Sequence, residues 1–598
     1  MCRFVLALSA LLVVACWNNS ASGAEAPREA PAPAAAAAAP ASASPAPAAA
    51  DSAAQTVPPP EPRIDTLDEL KRTLAEIPPA FAPSPDGGDP FRACDALRAK
   101  ARGAHAAAQR LLGSAVDSVQ KAELEDILKT IALRREPIGI AYLRALLGGV
   151  PSALQDLSRE KIEMLKVNVA IGIEEAERFT AAYPQSKDIS EARFYLMRLL
   201  FLNVDVAAKD WADAFERTHG AKPTIQERDA FRDAFFERIF GLLEMLEKDA
   251  ALPETFKERT LKIKADAFSS VGQPAKAADL YAAHIAAWPG SDDVKSGLSY
   301  MAAIQHYLYA ELPEKAQALG RRGMAACDNT KFFPHIADFH FKALVATGKL
   351  EDAEALWLKY MPIFTQRGND PARGEFERNG YRTYAEWALF RLGYVTFALL
   401  RYEQAKDYFR QHLEFVKDYG KPLPPPLQVH AQRSQYLFDV LQARIMNPAP
   451  ELALAKHWAG DRAFSLAENQ GKVIAIIFRT YNSPRAEPAL LYLQQQYEKY
   501  GQDAGPFAVV SVAFPRGADN IPEQLAALKK EMDTLNLTFP SGFDSTPDRA
   551  LFKQYDVNVG SATLVFVDPL GRLAYYEQDP RPNAFGLFTR VIEALLKG

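Results

Sequence analysis

From about Ile64 to about Asn447 the apolar residues recur every three or four positions, the spacing of amphipathic helices packed on one another, and strand signals are scarce. Near Asn447-Pro448-Ala449 the rhythm changes. Runs that are apolar throughout, such as VIAIIF and FAVVSVAF, now alternate with amphipathic stretches. This pattern predicts a strand over 472–478, a helix over 484–499, a strand over 507–514 and a helix over 522–535. A short helix over 547–555, two strands joined by Asp568-Pro569-Leu570-Gly571, and a closing helix over 584–597 complete the order. Strands without polar alternation belong in a sheet covered by helices on both faces.

The helical stretch repeats itself. Leu389-Phe390-Arg391-Leu392-Gly393-Tyr394 is followed by Leu399, Tyr402, Ala405 and Phe409. A second copy has Gly272, Ala277, Tyr281 and Pro289, and a third has Gly348, Ala353 and Trp357. A weaker one surrounds Ala176 to Pro184. A turn residue, then an alanine where two helices cross closely, then an aromatic that fills the groove, suits stacked helix pairs that cover one another's apolar faces. This resembles the tetratricopeptide repeat, and the expected fold class is multidomain: an all-α tetratricopeptide-like solenoid over 63–447, then an α/β domain over 450–598. An irregular helical bundle is the alternative reading of the same pattern. No repeat is recognisable before residue 160.

The N-terminus is read as an address. Arg3 precedes the apolar run Phe4 to Ala15, too short to span a membrane but ordered like a secretory signal. Val13-Val14-Ala15-Cys16 resembles a bacterial lipobox, which implies a signal over 1–16 and lipidation of Cys16; cleavage after Ser22-Gly23-Ala24, giving a soluble periplasmic product, is the alternative. Residues 17–62 are dominated by Ala and Pro and have almost nothing to bury, so a tether is expected. A tether directly after a cysteine favours lipid anchoring on the periplasmic side of the envelope.

Charge and side-chain chemistry remove several functions. The net charge is -5 and no basic stripe stands out, which disfavours nucleic acid and anionic membrane surfaces as partners. Of the 4 cysteines, Cys2 and Cys16 fall in the signal, leaving Cys94 and Cys327 far apart and no Cys-x-x-Cys anywhere. Their bland reading is two small apolar residues in helices; a disulfide is the alternative. His335 and His340 are five apart and do not share a helix face, a poor metal pair. His284 and His412 occupy the same repeat position and are expected to be partly exposed between helices. Lys421 to Pro426 reads as a stiff loop. No metal, cofactor or catalytic residue is assigned.

The C-terminal order is that of a thioredoxin fold, and the details sharpen it. Phe464-Ser465-Leu466-Ala467-Glu468 and Gly471-Lys472-Val473-Ile474, the helix from Arg485 to Gly501, Leu537-Thr538-Phe539-Pro540, and Gly560-Ser561-Ala562-Thr563 before Val567 to Arg572 resemble landmarks of the TlpA/ResA branch of thioredoxin-like proteins. That family carries Trp-Cys-x-x-Cys between the first strand and this helix, and a cis-proline beside it. Here Arg479-Thr480-Tyr481-Asn482-Ser483-Pro484 stands in the first place and Ala562 in the second. Thiol exchange needs an attacking thiolate and a resolving thiol, and Asn482 and Ser483 supply neither. Ser483 as a nucleophile lacks a base, because His457 is the one histidine of this region. The resemblance therefore implies a binding or scaffolding protein of the envelope, engaging a protein or peptide through its helical repeats. The alternative is a divergent thiol-disulfide oxidoreductase or peroxide-handling protein.

Overall fold

The computed structural model describes residues 64–77, 90–115, 117–149, 159–418, 425–452, 455–459, 463–481, 483–501, 505–514, 520–544, 546, 549–557 and 562–597. The signal, Cys16, the tether, Asn482 and the stretch Lys421 to Pro424 lie outside them. The chain falls into two compact units, one ending at Gly272 and one beginning at Gln273.

Among the described residues, seven helices build the first unit: α1 (Leu67–Ala75), α2 (Pro90–Ser114), α3 (Ser118–Gly149), α4 (Arg159–Ala182), α5 (Ile189–His219), α6 (Ile225–Glu247) and α7 (Glu254–Ser270). Capping boxes start two of them: the Thr66 and Thr224 hydroxyls accept from the amides of Glu69 and Glu227, whose carboxylates accept in return from Thr66 and Thr224. One core gathers Leu70, Ala104, Leu124 and Ile131; another gathers Phe179, Phe194, Leu200, Ile239 and Leu246. A buried ion pair, Arg98 to Glu175 at 3.1 Å, joins α2 to α4.

The second unit opens with α8 (Pro274–Ala287), the single turn α9 (Asp292–Lys295), α10 (Leu298–Tyr309), α11 (Pro313–Ala326), α12 (Phe333–Ala346), α13 (Leu350–Asn369), α14 (Glu375–Ala398), α15 (Tyr402–Asp418) and α16 (Pro425–Ala443). From α10 to α16 each packs on the next as a run of helical hairpins. The repeat positions have the burial their residue types suggested. Ala277, Ala353 and Ala405 are fully buried, as are the aromatics Tyr281, Trp357 and Phe409. A Cβ on Gly393 would lie 2.7 Å from the Phe409 ring, so only glycine lets α14 and α15 approach this closely. The hairpin turns place one residue in the left-handed region: Glu311 (φ 57), Gly348 (φ 71) and Leu400 (φ 60). Glycine adopts this conformation freely, whereas Glu311 and Leu400 carry a steric cost of about 1 kcal/mol that their neighbours' packing offsets. The α10–α11 hairpin is a further copy of the same device, hidden in the sequence because Gly320 stands where the other copies carry Tyr281, Trp357 and Phe409.

His284 and His412 differ from expectation. Both are fully buried, and each shares a hydrogen bond with a serine of the following long helix: Ser299 Oγ to His284 Nδ1 at 3.0 Å, Ser434 Oγ to His412 Nδ1 at 2.9 Å. A buried imidazole needs such a partner, and the next hairpin provides it.

The described residues of the remainder form one mixed sheet of six strands in the order β1-β4-β3-β2-β5-β6. The strands are β1 (Ala455–Trp458), β2 (Val473–Thr480), β3 (Phe507–Phe514), β4 (Ser541–Asp544), β5 (Thr563–Val567) and β6 (Leu573–Gln578). Helices α17 (Glu487–Tyr500), α18 (Ile521–Thr534), α19 (Ala550–Gln554) and α20 (Phe585–Lys597) complete it. β2, β3 and β4 run parallel, while β5 is antiparallel to both β2 and β6. The hairpin is held as expected: Asp568 accepts from the amides of Leu570 (3.0 Å) and Arg572 (2.8 Å). β1 and β4 were not anticipated, since four-residue strands with a glycine or a lysine carry no apolar run.

Candidate functional site

The end of β2 is where a thioredoxin-like protein keeps its chemistry. Phe478 pairs with Thr563, so the carboxyl end of β2 and the start of β5 meet at one end of the sheet. That brings Tyr481, Ser483, Pro484 and Ala562 to the same end. Tyr481 donates its amide to the Phe514 carbonyl (3.0 Å) and packs its ring on Phe543. Ser483 is half-buried, its carbonyl accepting from the Ala486 amide (3.0 Å), and Pro484 is exposed. Ala562 is buried, and its carbonyl accepts from the Asp579 amide (2.8 Å). None of these groups is a nucleophile with a base. His457 lies on β1, three strands from β2, or about 14 Å at the usual strand spacing, so it cannot activate Ser483.

Beneath this end sits a polar group that the sequence did not advertise. Arg479, penultimate in β2, is fully buried. Its Nε donates to Ser511 Oγ (3.1 Å), and its two terminal nitrogens donate to Glu531 Oε1 and Oε2 at 2.9 Å each. The bidentate pair satisfies both partners and ties β2, β3 and α18 together.

The Cys327 thiol gives no substitute. Cys327 is fully buried, donates to the Val294 carbonyl (3.6 Å), and desolvation pushes its thiol up to about 11. At neutral pH such a thiol is almost never a thiolate. Cys94 lies on α2, in the first unit, and its side chain is outside the described residues. His335 and His340 point to different neighbours, His335 to Tyr384 of α14 and His340 to Gly320 of α11. Among the described residues, no three His, Cys, Asp or Glu side chains gather to hold a metal, and no helix is long and apolar enough to cross a membrane.

A second polar cluster joins the sheet to the hairpins. Glu577 of β6 is buried and accepts from the Tyr394 hydroxyl of α14 (2.9 Å), the Tyr575 hydroxyl (2.9 Å) and the Arg433 guanidinium of α16. Burial raises its carboxyl above the usual range, while Arg433 and the two tyrosines pull it back. Beside it the Tyr575 ring stands 4.6 Å from Phe397. Gly586, at the start of α20, meets the Gly348 turn so closely that a Cβ there would lie 2.6 Å from the Gly348 nitrogen and overlap the Ala346 carbonyl oxygen. One signal for this junction was legible: Leu573-Ala574-Tyr575-Tyr576-Glu577 presents large aromatics on both faces of what topology makes an edge strand.

Parallel β2, β3 and β4 beside antiparallel β5 and β6, with a helix after each parallel strand, decide the class of this region. The C-terminal region has a thioredoxin-like fold. Similar solved structures include a thiol:disulfide interchange protein of the thioredoxin family from Chlorobium tepidum TLS, 22% identical, covering 26% of this chain and 98% of its own at a TM-score of 0.21. A thiol-disulfide isomerase from Corynebacterium glutamicum is 18% identical over 25% of this chain and 97% of its own, with a TM-score of 0.21. A secreted disulfide oxidoreductase from Mycobacterium tuberculosis is 18% identical over 23% and 96%, with a TM-score of 0.19. At such scores the assignment of the thioredoxin-like region rests on its strand order. No protein-family model matches the chain, and no curated protein does.

Proposed function

We propose that the chain is an exported binding and scaffolding protein of the cell envelope, in which tetratricopeptide-like hairpins engage a protein or peptide partner and the thioredoxin-like domain is redox-inactive. The observation that carries this reading is the absence of sulfur where the fold keeps its chemistry: no cysteine follows Cys327 in the sequence. The buried Cys327 thiol, pushed up to about 11, supports it, because it offers no thiolate to stand in. The run Phe4 to Ala15 supports export, and Cys16 ahead of the Ala/Pro tether supports a lipid anchor.

Insulin reduction by the purified full-length chain, with dithiothreitol as the electron source, tests the redox half. The expected rate equals the protein-free background. A rate well above it would return the chain to thiol-disulfide exchange or peroxide handling.

A further inference from the structure

In a free-standing thioredoxin-like protein the last strand and the last helix are ordinary surface elements. Here both pack in part against the helical hairpins. β6 is an edge strand by topology, yet Tyr575, Tyr576 and Glu577 are all buried. Its outer side is closed in part by the chain that leads into the domain: Met446 donates to the Leu573 carbonyl (2.8 Å), Leu573 to Asn447 (2.9 Å) and Ala449 to Gly571 (2.8 Å). Glu577 then collects Tyr394 and Arg433 from two different helices, and Arg444 donates to the Gln554 carbonyl (3.1 Å). At α20 the contact becomes backbone on backbone, because Gly586 and Gly348 face each other with no side chain between; a Cβ on Gly348 would stop 3.0 Å from the Gly586 carbonyl oxygen. Reversible docking surfaces are made of side chains that solvent can re-cover. A glycine-to-glycine seat and a carboxylate buried among partners from another element cannot be uncovered cheaply.

We infer that the thioredoxin-like domain is the permanent C-terminal cap of the helical hairpins, folding with residues 273–443 as one cooperative unit through the Gly348–Gly586 seat and the Glu577 cluster, rather than a module that swings or detaches. This goes beyond the scaffolding reading and does not depend on it, since a redox-active domain could also be capped.

Gly586→Ala in the full-length protein separates the two cases by sign. Alanine is the better helix former, so in an independent domain it would leave α20 as stable or more so. In a cap its methyl has no room, and the substitution lowers the melting temperature of the second unit by several degrees. Hydrogen exchange is read at the same time. The cap requires faster exchange in α12 and in β6 together; a change confined to α20, or a raised melting temperature, would overturn the inference. Should Gly586→Ala not yield folded protein, Glu577→Gln keeps the shape and removes the charge. It must accelerate exchange in α14 and α16 as well as β6, and acceleration in β6 alone would equally refute a cooperative cap.

Discussion

Lowering the pH from 7 to 5 tests the packing of the hairpins directly. His306, His340 and His412 are buried on α10, α12 and α15, and desolvation pushes all three down to about 4. Each also has a ring nitrogen without a hydrogen-bond partner: Nδ1 in His306 and His340, Nε2 in His412. Protonation would therefore put a charge and an unmatched donor into the interior. The folded pKa lies below the unfolded one, so the folded chain holds fewer protons across this window. The stabilisation is complete above pH 6.5 and is lost as the pH falls towards 4. From an ordinary value near 6.5, each histidine loses about 2 kcal/mol between pH 7 and 5, and the three together about 5 kcal/mol. Glu386, raised to about 7 by burial, acts in the opposite sense by about 2 kcal/mol at full linkage, which its partial solvation cuts to about 1 kcal/mol. The loss from these three histidines alone is comparable to the whole stability of a domain, and His335 and His430, pushed down by burial to about 4 and about 2, add to it. Urea unfolding at pH 7, 6 and 5 measures it by tryptophan fluorescence, since Trp288, Trp357, Trp387 and Trp458 place four of the 6 tryptophans in the second unit. His412→Gln should flatten the profile by about 2 kcal/mol. A fall below about 1 kcal/mol across the range, or an unchanged slope in the variant, would refute the reasoning.

Other expectations follow from single contacts. Glu577→Ala strips the half-buried Arg433 guanidinium and the buried Tyr394 and Tyr575 hydroxyls of their shared carboxylate and should cost about 2–4 kcal/mol in chemical denaturation, whereas Arg433→Met with Glu577→Met should cost far less. Arg479→Met strands the Glu531 carboxylate and should cost about 2–4 kcal/mol by the same measurement, partly recovered by adding Glu531→Leu. Iodoacetamide should leave the Cys327 peptide unlabelled in native protein and label it fully in urea, as read by mass spectrometry of digests. Cys16→Ser should abolish metabolic palmitate incorporation and move the protein from the membrane to the soluble envelope fraction.

Much of the fold was legible because the periods of its elements differ. The 507–514 strand was read to the residue, and β2, α18 and α20 to within two, since long apolar runs and strong amphipathicity leave little choice. β1 and β4 were not, because a four-residue strand is created by the neighbour it pairs with rather than by its own composition. The α10–α11 hairpin was hidden for a different reason: Gly320 stands at the position that carries Tyr281, Trp357 and Phe409 in the copies that were read. At the site, the missing sulfur was plain from the sequence, whereas the Arg479–Glu531 pair was not. Its partners are 52 residues apart, and no local pattern connects them. Gly348 was read as a turn glycine, and it is one, but its second duty towards Gly586 is a tertiary fact that spacing cannot carry.

A docked cap also changes what a deletion can mean. Removing residues 450–598 is the obvious way to ask whether the thioredoxin-like domain binds a partner. It would also uncover Phe397, Tyr394 and the Gly348 turn, and leave Arg433 without its carboxylate. Lost binding in such a truncation would then report a damaged helical array rather than a missing surface. Changes at solvent positions away from the junction avoid this ambiguity. Pro484 is exposed at the end of the sheet that carries no cysteine, and Leu570 stands exposed on the β5–β6 hairpin. Charge-bearing substitutions there, Pro484→Glu and Leu570→Glu, should leave the melting temperature within about a degree of the wild type, because neither side chain contributes to the packed interior. Crosslinking in intact cells with these variants then assigns the surface. Partner capture lost at unchanged stability places binding on the thioredoxin-like domain, and capture retained by both places it on the helices.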